Sequence, residues 1–224
     1  MQKSASAFSY IPDKGYNRIM IALNNIDDRH IKEIAEAFAD SFLAEEGVVS
    51  WSLDYDDAVQ YFYHTLKEFV RCGRLFATSD MEEGFIVWYR KGHGLPWYRE
   101  LLLTVKYMMY MSLEGVQKMI LSRNGWTDYT MSHQFDRDYV DVCLVCVRRE
   151  YQHQGILKQL LRQPFQDADE NGLITILDTD AEIKMKKYGH EGMQVEKDAV
   201  LKSGIHMYTM IRRGNGHEKT DNPG

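Results

Sequence analysis

Tyr139–Val147, YVDVCLVCV, runs directly into Arg148–Leu161, RREYQHQGILKQLL, and the reading of this stretch decides the fold. After Asp141 the first part is almost wholly apolar, the pattern of a central strand buried on both faces. Gln152–Gly155 is polar and reads as a loop. From Ile156 to about Ala168 the apolar positions Ile156, Leu157, Leu160, Leu161 and Phe165 recur at helical spacing. Pro164 falls inside this helix and is expected to kink or shorten it. A strand-to-helix junction presents free backbone N–H groups at the positive end of a dipole, which suits an anion. Gly155 would let the backbone approach such a group closely, with Arg148, Arg149 and Lys158 adding positive charge nearby.

Downstream, Asn171-Gly172 turns the chain into a strand over Leu173–Leu177, and a short helix follows from Ala181 to about Gly189. Two last strands, about Met193–Lys197 and Ile205–Arg212, flank a Lys202-Ser203-Gly204 turn, and the tail beyond Gly214 is expected to be disordered. Upstream, Asn17–Leu23 reads as a strand, and Asn24–Asp28 supplies the N-cap of a helix reaching about Ala44. A second helix spans about Tyr55–Val70 and ends at Gly73. Arg74–Thr78 and Phe85–Tyr89 form a hairpin across a polar turn. Past Lys91–Pro96, one long helical stretch is expected from Trp97 to about Ser122, packing as core and bordering an acceptor pocket through Trp97, Tyr107, Tyr110 and Trp126.

The 224 residues are 44% hydrophobic and 27% charged, ordinary globular usage, which excludes global disorder and fibrous repeats. A net charge of −6 argues against a nucleic-acid binder held by phosphate contacts. Leu101–Leu113 is the most apolar segment, yet Lys106 interrupts it and it is too short to span a bilayer, so no membrane partner is expected. Three cysteines cannot all pair, and no stretch reads as a secretory signal, so a reducing cytoplasm is the expected setting.

Gln152-His153-Gln154-Gly155-Ile156-Leu157 resembles the acetyl-CoA loop of the GNAT N-acetyltransferase superfamily, Gln/Arg-x-x-Gly-x-Gly/Ala, with Leu157 in place of the last small residue. Tyr188-Gly189-His190-Glu191-Gly192-Met193 is similar to that family's Tyr-x-x-x-Gly-Phe segment, although Ala181 stands where an Asn is often found. The match runs from Tyr139 to Arg213. It implies a GNAT-type α/β fold: a mixed, mostly antiparallel sheet flanked by helices, with a helical insertion before the central strand. One such domain would occupy residues 1–213, with 214–224 as a tail.

The resemblance also implies chemistry: acetyl transfer from acetyl-CoA to a primary amine of a small molecule or peptide. Many relatives pair, which leaves a homodimer open here, and no metal is expected. A catalytically quiet acyl-CoA sensor is the other reading. Main-chain groups of Leu144, Val145, Cys146 and Val147 would pair with the pantetheine arm like a missing strand. Loop amides of Gln152, His153, Gln154, Gly155, Ile156 and Leu157 would cradle the pyrophosphate. Tyr188 would protonate the leaving thiolate. Asp141, six residues before Val147 where some family members place a glutamate, is the candidate base. Regular alternation would point it the same way as Val145.

Other constellations point nowhere. The odd spacing of Cys143 and Cys146 would put them on opposite faces of one strand as core thiols, and the eight histidines lack paired ligand spacing. His133 is a candidate for the acceptor side, and His190 reads as a solvated helix end.

Overall fold

The computed structural model describes residues 20–123 and 138–214. Seven strands form one sheet in the order β1-β2-β3-β4-β5-β7-β6. These are β1 (Ile21–Ala22), β2 (Leu75–Ala77), β3 (Gly84–Arg90), β4 (Tyr139–Val147), β5 (Ile174–Thr179), β6 (Gln194–Val200) and β7 (His206–Arg213). Every pairing is antiparallel except β4 with β5, where the chain crosses over through a helix. The mixed, mostly antiparallel sheet expected from the sequence is therefore present. The expected first strand is shorter, and Asn17–Ile19 lie outside the described residues, as do Trp126, His133 and the tail.

Helices α1 (Asp28–Leu43) and α3 (Tyr55–Arg71) begin where Asp27 and Asp54 accept backbone N–H bonds as N-caps. Their apolar stripes, Ile34, Phe38, Phe62 and Leu66, bury against Phe85, Val87 and Cys146 on one face of the sheet. Between them lies a short helix, α2 (Val48–Ser52), with no counterpart in the sequence reading. On the other face α6 (Ile156–Asn171) packs Ile156, Leu160 and Leu161 against Ile86, Val142 and Leu177. Its first turn lies so close to the sheet that a Cβ on Gly84 would stand 2.9 Å from the Cys146 carbonyl oxygen and from Ile156. Pro164 sits buried within α6 without shortening it. The helix ends instead at Gly172, whose φ of 62° favours glycine. The short helix α7 (Glu182–His190) follows β5.

The insertion between β3 and β4 is two helices, α4 (Trp97–Tyr110) and α5 (Leu113–Arg123), where one was expected. The break has a polar cause. The Ser112 backbone N–H donates to Asp57 Oδ1 at 2.7 Å, its hydroxyl bonds the same carboxylate, and its Oγ accepts from Gly115 N at 3.0 Å as the cap of α5. No helix among the described residues is long and apolar enough to cross a membrane.

What fastens α4 to α3 is a buried carboxylate. The Glu68 side chain is 4% exposed and meets Arg71 Nη1 at 2.8 Å, Arg99 Nη1 at 2.8 Å and Lys106 Nζ at 2.7 Å. Burial pushes its carboxyl upward, but the hydrogen bonds from Lys106 and Arg99 outweigh this and hold it below its ordinary range. A depressed carboxyl stabilises the fold above its unfolded value and loses that contribution as pH falls through the folded one. Glu68→Gln is therefore expected to cost about 2–3 kcal/mol at pH 7, by leaving two inward cations uncompensated. Urea unfolding should show the gap to the parent closing below about pH 4. A gap that does not depend on pH would assign Glu68 to packing alone.

Candidate active site

A β-bulge shapes the centre of the sheet. Trp88 pairs with Val142 and Val87 with Leu144, so Cys143 is an extra residue in β4. The bulge reverses the alternation beyond it. Val142, Val145 and Val147 join the cluster under α6, whereas Leu144 and Cys146 pack beneath α1 and α3. Asp141 therefore faces away from Val145, contrary to the sequence reading, and lies opposite Tyr89 across the β3–β4 pair. The same bulge removes the expected separation of the two cysteines. Cys146 is buried with its thiol pushed by that burial up to about 12, but Cys143 is exposed.

Just past the bulge, β4 and β5 separate. Their parallel pairing runs from Tyr139↔Ile174 to Val142↔Leu177 and stops, while β5 continues to Thr179 against β7. From Cys143 to Val147, β4 keeps β3 on one edge and, among the described residues, has no strand on the other. Such an edge needs partners for its backbone groups.

Two cavities open from this wedge. A small one is lined by Leu144, Val145, Asp178, Thr179, Lys184 and Tyr188. A larger one, about 250 Å³, runs beside Val145 and Val147 to Gln152, His153, Gly155, Ile156 and Leu157. Val145, Lys184 and Tyr188 line both, so the phenol stands at their junction. Gly155 has a φ of 76°, and a Cβ built there would meet nothing within 4 Å. Lys158, Lys187, His153 and His190 line the same end, giving His190 a place that the sequence reading did not. Gln154 is exposed and turns back to the Glu150 carbonyl, and Arg148 donates to the Glu82 carbonyl, so neither side chain lines a cavity. Cys146 contributes backbone only, because its Sγ points to the Ala37 carbonyl.

An acyl-CoA fits this arrangement. The edge of β4 that no described strand covers suits a peptide-like arm, the open turn at Gly155 suits phosphate, and the Thr179 hydroxyl is buried in the wedge without a partner among the described residues.

On the sheet face away from α6 lies an acidic pair. Asp141 does not line either cavity; its neighbour Asp178 lines the smaller one. Burial, then the charge of Asp178, pushes Asp141 up to about 7 against a hydrogen bond from Tyr89. Asp178 is pushed by burial up to about 6, although Thr209 Oγ1 donates to it at 2.6 Å. Tyr188 is buried, and burial followed by the charges of Glu45 and Asp180 raises its phenol well above 10. Asp178, Glu45 and Lys184 were missed as site residues by the sequence reading. The polar strand end Leu177–Asp180 was the one signal available. None of the insertion's described residues, Trp97, Tyr107 and Tyr110 included, lines either cavity.

With this geometry in hand, known structures are informative. Arylalkylamine N-acetyltransferase 2 from Aedes aegypti superimposes with a TM-score of 0.57 at 12% identity, over 85% of this chain and 97% of that one. The fold is that of the GNAT N-acetyltransferases. A polyamine N-acetyltransferase of Drosophila melanogaster, described as forming N-acetylagmatine, matches at TM-score 0.55 and 11% identity, over 87% and 99% of the two chains. An N-acetyltransferase from Staphylococcus aureus Mu50 matches at 0.53 and 12%, over 86% and 99%. No protein-family model matches the sequence, and neither does any curated protein sequence. At these identities the GNAT likeness is one of fold.

The raised carboxyls make a claim about stability. Between the unfolded value near 3.8 and folded values of about 6 and 7, the native state holds more protons than the unfolded chain. Stability must then fall as pH rises through that window. Asp141→Asn, which keeps an oxygen for Tyr89, is expected to be more stable than the parent at pH 8 and no more stable at pH 4. Chemical denaturation at the two pH values checks this, and equal stability at pH 8 would count against the burial of the carboxylate.

Proposed function

We propose that this protein transfers an acetyl group from acetyl-CoA to a primary amine of a small molecule or peptide. The observation that carries the reading is the separation of β4 from β5 beyond Val142↔Leu177, with Tyr188 where the two resulting cavities meet. The GNAT fold supports it, and two of the similar structures are named for amine acetylation. When bound, acetyl-CoA supplies an activated thioester carbonyl. The β4 edge from Leu144 to Val147 would hold its arm, and the amides from Gln152 to Leu157 its pyrophosphate, aided by Lys158 and Lys187.

Asp141 and Asp178 give the acceptor side a negative field that draws in an ammonium. At about 7, Asp141 lies roughly three units from an alkylammonium near 10.4, against more than six for an ordinary aspartate. Asp141, through a water and Asp178, would take one proton from the ammonium, freeing the lone pair that attacks the carbonyl. As the C–S bond breaks, Tyr188 would give its proton to the departing sulfur and regain one from the second proton that leaves the nitrogen. The raised phenol makes Tyr188 a weaker acid than free tyrosine. Its loss is therefore expected at the low end of general-acid effects, about 10²-fold in kcat.

Gly155→Glu forces a side chain into left-handed backbone and places a carboxylate in the cradle. Calorimetric titration of the folded variant should show loss of acetyl-CoA binding, whereas Gln152→Ala should retain it; undiminished affinity in the Glu variant would move the cofactor elsewhere. With one accepted amine, the parent's kcat/KM should rise through about pH 7. Asp141→Asn should shift that limb to alkaline pH, where more amine is already neutral, and recover part of its rate. Tyr188→Phe should show no such recovery. An unshifted Asp141→Asn profile would leave that carboxylate structural, and binding without release of free thiol in the parent would identify a sensor.

A further inference from the structure

Helix α4 is turned inside out. Its two cations, Arg99 and Lys106, point inward and bond the buried Glu68, and Leu103 is its one buried apolar residue. The opposite arc carries Trp97, Leu101, Leu102, Val105, Met108 and Met109, all exposed, with Trp97 at 76% and Met109 at 68%. At 3.6 residues per turn these share one side of the helix. Glu100 and Thr104 fall on its flank, so the arc itself bears no charge.

These six side chains present on the order of 700 Å² of apolar surface, and Leu113, Ile120 and Leu121 of α5 are exposed as well. A monomer's largest apolar patch is typically about 300–600 Å², whereas a stable interface takes about 800 Å² from each partner. The area is thus that of an interface. Its charge selects the occupant. An anionic lipid surface needs outward cations, and both basic residues of α4 are held by Glu68 in a chain of net charge −6. A second uncharged apolar face suits this one, and the chain itself carries such a face.

We propose that two copies of this chain pair through the outward faces of their α4 helices. A two-fold axis across the helix near Leu101 and Val105 runs the helices antiparallel. It sets the two Glu100 carboxylates on opposite flanks of the contact, so like charges do not meet. Trp97 of each copy then covers the Met108 and Met109 end of the other.

Sedimentation velocity on the full chain, from about 1 to 100 μM, tests the proposal. The parent is expected to be a dimer, and Leu101→Glu with Met108→Glu a monomer, its dissociation constant weakened at least about 100-fold. Both substitutions lie on exposed positions, and circular dichroism should confirm an unchanged fold. Independently, Leu101→Cys and Val105→Cys introduced together, with Cys72→Ser and Cys143→Ser, should form a covalent dimer on mild oxidation, because the two-fold that lays Trp97 over Met108 and Met109 brings Leu101 of one copy against Val105 of the other. A parent that is monomeric throughout would overturn the proposal, as would a dimer indifferent to the double substitution. So would a monomer that pellets with phosphatidylserine vesicles through this face.

Discussion

The backbone of β4 cannot satisfy both of its edges, and the rest of the site depends on that. From Tyr139 to Val142 it has β3 on one side and β5 on the other; from Leu144 onward β3 is the one strand beside it among the described residues. The extra residue at Cys143 increases the local twist and turns the strand away from β5, which is held in line by β7 up to Thr179. A row of peptide groups is left facing a wedge in the middle of a sheet, where water and a ligand are the remaining partners. Around that wedge gather Tyr188 from α7, Thr179 from β5 and the turn at Gly155.

The bulge also decides the electrostatics. By reversing the alternation it turns Asp141 away from the α6 side, to the face where Tyr89 and Asp178 lie. Two carboxylates this close and this poorly solvated resist joint ionisation, so their protons are held into the neutral range. Ionising them is therefore expected to cost the fold stability as pH rises. Tyr188 resists ionisation too. Buried among Glu45, Asp180 and Cys146, it holds its proton tightly.

Local signals carried much of this into the sequence. The apolar run of β4, the cap chemistry of Asn24–Asp28, and the Asn171-Gly172 turn at the end of α6 placed elements to within a few residues. Each rests on one residue or one period of side chains. Tertiary events were illegible. Nothing in YVDVCLVCV distinguishes a regular strand from one with an extra residue at Cys143, so the face of Asp141 was read backwards. Asp178 becomes a site residue because β5 lies beside β4, and Lys184 and Glu45 because α7 meets the end of α1. The break at Met111-Ser112 needed Asp57, 55 residues away. A helical period through Trp97–Ser122 shows which positions share a face, but not that the apolar face is the outer one.

The insertion is nonetheless continuous with the site. The chain leaves β3 after Arg90, and a Cβ on Gly94 would stand 2.8 Å from the Tyr89 ring, so the approach to α4 lies flat against that ring. Tyr89 stacks on Phe69 of α3, one residue from Glu68, and its hydroxyl holds Asp141. One short region of α3 thus supports both the anchor of α4 and the ring beneath the acidic pair. Glu68 fixes α4 by charge, Phe69 fixes Tyr89 by contact, and neither can shift without moving the other's backbone. The depth at which α4 sits and the position of the Asp141 carboxylate are therefore set by the same turn of helix.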